Sequence, residues 1–194
     1  MLRASIRSAI LGALFLGLTS AAGAVSQTQT PPVNANATVI QDFMKRVNDY
    51  VALHKKLEDT LPKLSKRTTP EEIDQHERAL AKLIQEARER AKPGDILTPD
   101  MQRLIRTLLQ PIFAGKDGKQ VKDEIMDREF KGSVKLRVNG RYPDEVPIST
   151  VPPQVLEALP KLPEELEYRF IRSGLILFDP HAHIIADYMR RAFT

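Results

Sequence analysis

The chain has 194 residues, 29 Lys and Arg against 25 Asp and Glu, and neither cysteine nor tryptophan. The missing thiols exclude a disulfide framework, a cysteine nucleophile and thiolate metal sites. Positive charge is not segregated. Residues 37–93 carry 12 basic and 10 acidic side chains and residues 132–194 carry 8 of each, so the basic stripe of a nucleic-acid binder is missing.

The N-terminus reads as an export signal. Arg3 and Arg7 precede the uncharged apolar run Ile10–Leu18, and Ala22-Gly23-Ala24 offers small side chains at the two positions a signal peptidase inspects. The run is shorter than the about 20 residues that cross a bilayer. The spacing predicts a signal peptide over 1–24 cleaved after Ala24, and a soluble mature chain in the periplasm or secreted. Losing Arg3 and Arg7 leaves 27 basic against 25 acidic residues. Residues 25–37 have no charge and almost no large apolar group, and are expected to be a flexible linker.

Residues 38–131 show helical periodicity. Thr38 with Gln41 forms a capping-box pattern. Ile40, Phe43, Val47, Tyr50, His54, Leu57 and Leu61 then share one helical face. Thr69-Pro70-Glu71-Glu72 predicts a second capped start, followed by the stripe Ile73, His76, Leu80, Leu83, Ile84 and Ala87. Two long helices with a short connection imply an antiparallel helical hairpin. Thr98-Pro99 caps a third helix with the most apolar face of the chain. A shorter fourth helix follows Gly115–Gly118, with Val121, Ile125 and Phe130 inward.

Residues 132–194 change period. Val134–Val138 alternates and is followed by the turn signal Asn139-Gly140. Gln154–Leu159 suits a short helix. Leu166, Tyr168 and Phe170 predict a strand, Leu175–Phe178 a central strand apolar on both faces, and Ile184–Tyr188 another strand. The fold class expected is α+β: a helical hairpin and further helices, then a small antiparallel sheet packed on them as one domain.

Two histidine patterns could hold a metal. His54 and Glu58 on the first helix would face His76 and Glu72 on the second at matching heights if the hairpin turns near residue 65. His181 and His183 form a His-x-His after Asp179-Pro180. Only eleven residues follow His183, too few for the barrel in which a strand-borne His-x-His finds further ligands. Pro180 makes this segment a turn between strands, shaped by Asp179 bonding nearby backbone N–H groups. The pattern G-x-S-x-G, the pattern S-x-x-K and a phosphate-cradling glycine loop are all missing.

The segments "GDILTP" (94–99), "LRVNGRYP" (136–143), "LPKLPEELEYRF" (159–170) and "LILFDPHAHIIADYM" (175–189) resemble an uncharacterised family of exported bacterial proteins, from about Phe43 onward. The resemblance implies export and carries no activity, cofactor or catalytic residue. Its last segment follows L-x-L-x-D-x-x-A-x-x-I-x-D, matched here by Leu175, Leu177, Asp179, Ala182, Ile185 and Asp187; positions 181 and 183 are unspecified.

The function expected is that of a non-enzymatic module that contacts another exported protein, without cofactor or nucleic acid. The alternatives are metal binding through His54/His76 or His181/His183, and hydrolysis at an unrecognised carboxylate site.

Overall fold

The computed structural model describes residues 34–65, 67–126, 135–147 and 150–193. The expected signal peptide, the linker up to 33, Phe130 and Val134 lie outside them. Val33–Thr194 forms one compact unit. Its elements are α1 (Ala35–Glu58), α2 (Pro70–Ala87), α3 (Pro99–Ala114), α4 (Gly118–Met126), β1 (Gly140–Arg141), α5 (Pro153–Ala158), β2 (Glu167–Ile171), β3 (Gly174–Asp179) and β4 (Ile184–Met189). The α+β class is as expected.

Helix α1 starts earlier than the Thr38 cap. Asn34 takes the N-cap and its side chain accepts the Asn36 N–H; Ala35 and Ala37 then extend the helix at little cost. The last residues assigned to the linker are therefore helical. Helix α2 begins on the expected box, with Thr69 accepting from the Glu72 N–H and the Glu72 carboxylate accepting from the Thr69 N–H. Glu58 meets His76, whereas Tyr50, two turns earlier, meets Arg88 beyond the end of α2. Moving back along α1 is thus moving forward along α2, which makes the pair antiparallel. Among the described residues no helix is long and apolar enough to cross a membrane.

The strands form one antiparallel sheet in the order β1-β4-β3-β2. Strands β3 and β4 are buried along their whole length. On one face Tyr168, Phe170, Leu175, Leu177 and Ile184 join Phe43, Val47, Leu80, Ile84 and Ile105 of the helices in the main core. The other face is covered as well, as the run Leu175–Phe178, apolar on both faces, requires. Tyr142 and Val146, with Leu136 and Val138, close over Ile176, Phe178, Ile185 and Tyr188.

The strand expected at 134–138 is a correction. Residues 135–138 are irregular, and only Gly140–Arg141 pairs with the sheet. Leu136 and Val138 do alternate inward, which explains the period-2 pattern. But the Arg137 carbonyl accepts from the Gly140 N–H in a turn, and Asn139 sits at φ 57 with its carbonyl bonded by Gln85. Those groups are not available to a ladder.

Candidate metal centre

Helix α1 presents Tyr50, His54 and Glu58 at steps of four, on the face that meets the turn after β3. That turn starts at Asp179, whose side chain has no exposed surface. Its Oδ1 accepts the His181 and Ala182 N–H groups at 3.0 and 2.9 Å, the turn-shaping role read from the sequence. Its Oδ2 accepts the Tyr50 hydroxyl at 2.6 Å and lies 2.7 Å from His54 Nδ1. Four donors fill the lone-pair positions of a carboxylate, so a buried charge is fully compensated.

The tautomer of His54 follows. Facing an acceptor, Nδ1 carries the proton, and Nε2 is the nitrogen left for another partner. That atom is buried and makes no hydrogen bond, although Glu58 Oε2 is 3.3 Å away. Burial works against the His54 cation, but the hydrogen bond and charge of Asp179, with Glu58 adding to them, outweigh it and raise the imidazole's pKa. Burial, then the Asp179 charge and hydrogen bond, push the Tyr50 phenol well up despite the Arg88 guanidinium 4.9 Å from its ring. Tyr50 is therefore a fixed donor.

Glu58 is the hub of the cluster. Its Oε1 is 3.2 Å from His181 Nδ1 and 3.7 Å from His76 Nε2. The His181 ring stands edge-on to His54 at 5.3 Å. One donor atom each from His54, Glu58 and His181 falls within 4.8 Å of the others. Zinc bonds of about 2.0–2.1 Å put neighbouring tetrahedral ligands about 3.3 Å apart; Glu58 reaches His54 Nε2 at 3.3 Å through Oε2 and His181 Nδ1 at 3.2 Å through Oε1.

The six candidate residues thus divide. His54, Glu58 and His181 converge, and His76 stands beside Glu58. Glu72 does not take part: its carboxylate accepts the Thr69 N–H at 2.7 Å, and Glu58 stands opposite His76 instead. His183 is also elsewhere. It lies in a turn at φ 50, so the strand rule that puts i and i+2 on one side does not apply. Its ring packs between Tyr142 and Phe178 on the far face of the sheet, with Nε2 3.6 Å from Asp144. Burial, followed by the nearby Arg141, lowers its pKa. The sequence reading missed Tyr50 and Asp179 as supports for His54. The signal available was the i, i+4 spacing of Tyr50 and His54 on a buried stripe.

These features define an α+β protein with a histidine–carboxylate cluster where a helical hairpin meets a strand turn. No protein-family model matches the chain, and no curated protein or solved structure is similar enough to count as a match.

Proposed function

We propose that the chain is an exported protein that binds one divalent transition-metal ion through His54 Nε2, Glu58 and His181 Nδ1. The observation that carries this reading is the buried, unbonded Nε2 of His54, aimed at a carboxylate and a second imidazole. In the metal-free protein that nitrogen has only the Glu58 carboxylate, 3.3 Å away and poorly aligned for a hydrogen bond, and a metal ion would bind both. The Asp179–His54 pair supports the same reading. A carboxylate on the far ring nitrogen fixes the tautomer and raises the basicity of a ligating imidazole. Two imidazoles and one carboxylate, with no thiolate, suit zinc and its borderline neighbours better than calcium or magnesium. Arg3, Arg7, the apolar run and Ala22-Gly23-Ala24 support export.

The interaction-module reading has less to stand on. Among the described residues the large exposed apolar side chains are Leu64, Ile73 and Leu156, and single exposed apolar side chains are ordinary on a protein surface.

Equilibrium dialysis of chelator-stripped protein against zinc, with elemental analysis, tests the proposal. One equivalent is expected for the wild type and for His183→Ala, and a loss of at least about a hundredfold in affinity for His54→Ala and His181→Ala. Zinc retention that is substoichiometric, or equal in all four proteins, would refute it.

A further inference from the structure

The two edges of the sheet differ. Strand β1 is two residues long and is blunted by its shortness, whereas β2 has five residues and pairs only with β3 among the described residues. The link Arg172-Ser173 is a two-residue hairpin turn, so Ile171 and Gly174 close the ladder as a hydrogen-bonded pair. Bonded pairs then alternate. Glu167, Arg169 and Ile171 turn their main-chain groups to β3, and Tyr168 and Phe170 turn theirs away from it. The Tyr168 carbonyl has Arg169 Nη1 at 3.5 Å, the outer limit of a hydrogen bond. A groove of about 470 Å³ is lined by residues 166–169 together with Leu156, Pro160 and Leu162. Four consecutive strand residues in its wall mean that it follows the edge, and Leu156 is left 45% exposed beside it.

An open edge can take a further strand through main-chain bonds, and the side chains choose which. Tyr168 and Phe170 face the main core, so Glu167 and Arg169 stand on the opposite face, where they are bonded to each other. Two copies related by a two-fold axis present the same strand to one another. Outward groups must meet outward groups, which leaves few registers. With Tyr168 opposite Tyr168 of the second copy, the two residues exchange both N–H···O bonds. Glu167 then falls opposite Arg169 of the second copy, twice by symmetry. Setting Tyr168 against Phe170 puts Arg169 against Arg169, and setting Phe170 against Phe170 puts Arg169 against Ile171. A slide the other way sets Glu167 against Glu167 and needs the Leu166 N–H, which already donates to the Pro163 carbonyl. Charges on an edge strand usually deter pairing. Here the order acid, apolar, base is its own complement in one register and in none of the others.

We propose that β2 is a self-association surface: two copies of this chain pair antiparallel through it, centred on Tyr168, with Glu167 of each bonded to Arg169 of the other. None of the metal-binding residues lies on β2, so this contact is independent of the metal reading.

Sedimentation velocity of the full chain over a concentration series tests this and should show a monomer–dimer equilibrium. Glu167→Arg alone and Arg169→Glu alone each set like charges opposite one another, and each should raise the dimer Kd about tenfold or more. An equimolar mixture of the two variants restores both cross-strand pairs and should dimerise as the wild type does. A role confined to the ion pair inside one chain would not be rescued by mixing, because each chain still carries two like charges. The chain has no cysteine, so a mixture of Glu167→Cys and Arg169→Cys proteins should yield a disulfide-linked heterodimer; this reads the register even where a charge reversal unfolds the chain. A wild type that stays monomeric throughout the series would overturn the proposal. So would a dimer whose Kd neither reversal changes, a mixture of folded reversal variants that does not dimerise, or Arg169→Cys protein that links to itself as fast as the cysteine mixture links.

Discussion

Two buried carboxylates on neighbouring strands do different work. Asp187 on β4 and Asp179 at the end of β3 are both fully inaccessible, and each accepts four hydrogen bonds. All four donors to Asp187 are backbone N–H groups: Gly94 and Tyr188 on Oδ1, Ile96 and Leu97 on Oδ2. Gly94 can aim its N–H there because it adopts φ 93, a conformation that side chains disfavour. Asp187 thereby fastens the 94–97 loop to the sheet, and its four hydrogen bonds are all to main chain. Asp179 takes only two backbone donors; the others are Tyr50 and His54. Because His54 has a second nitrogen, with Glu58 3.3 Å from it, Asp179 can act through the ring on a group bonded there. A buried carboxylate saturated by backbone holds a fold, and one bonded to an imidazole can also tune a site.

Substitutions at the two positions should separate these roles. The largest stability loss is expected for Asp187→Ala, which strands four N–H groups, three of them buried, on the order of 4 kcal/mol in urea unfolding. Metal affinity of whatever fraction stays folded should be little changed. Asp179→Asn should cost about 2 kcal/mol, since the amide sets N–H donors against donors. It should also weaken zinc about 10- to 100-fold, the usual consequence of losing a carboxylate behind a ligating histidine. Equal effects of the two substitutions on zinc would erase the distinction. Tyr50→Phe removes one of the four bonds to Asp179 and should cost about 1 kcal/mol, with less than about a tenfold change in zinc affinity.

The smallest effect is expected just outside the cluster. Glu165 is buried, which alone would raise its pKa, but the Lys55 ammonium at 2.7 Å and backbone hydrogen bonding hold it below its usual value of 4.5. A folded value below the unfolded one stabilises the native state above pH about 4.5, and the contribution disappears as pH falls through the depressed value. The stability gap between wild type and Glu165→Gln should therefore be present at pH 7 and vanish in strong acid. A gap that widens on acidification would contradict the assignment.

Local patterns explain what could be read in advance. The helical stripes, the Thr69 and Thr98 caps and the apolar β3 are short-range signals, and they mark their elements. That His54 and His76 both lie on packed helix faces was also legible, but it is Glu58, one turn after His54, that stands opposite His76. Glu72 shows why the register was not: one carboxylate was claimed by both a metal set and a capping box, and the box, which spans four residues, won. His181 reaches Glu58 across 123 positions and Asp179 reaches His54 across 125; no periodicity encodes such contacts. The resemblance pattern did single out Asp179 and Asp187, but it could not distinguish a carboxylate bound by backbone from one bound by an imidazole.

X-ray absorption at the zinc edge of loaded protein tests the central claim most directly. A first shell of nitrogen and oxygen at about 2.0–2.1 Å with the outer scattering of two imidazoles is expected, reduced to one imidazole in His181→Ala. An all-oxygen shell without imidazole scattering, or a wild-type spectrum that His181→Ala leaves unchanged, would contradict it.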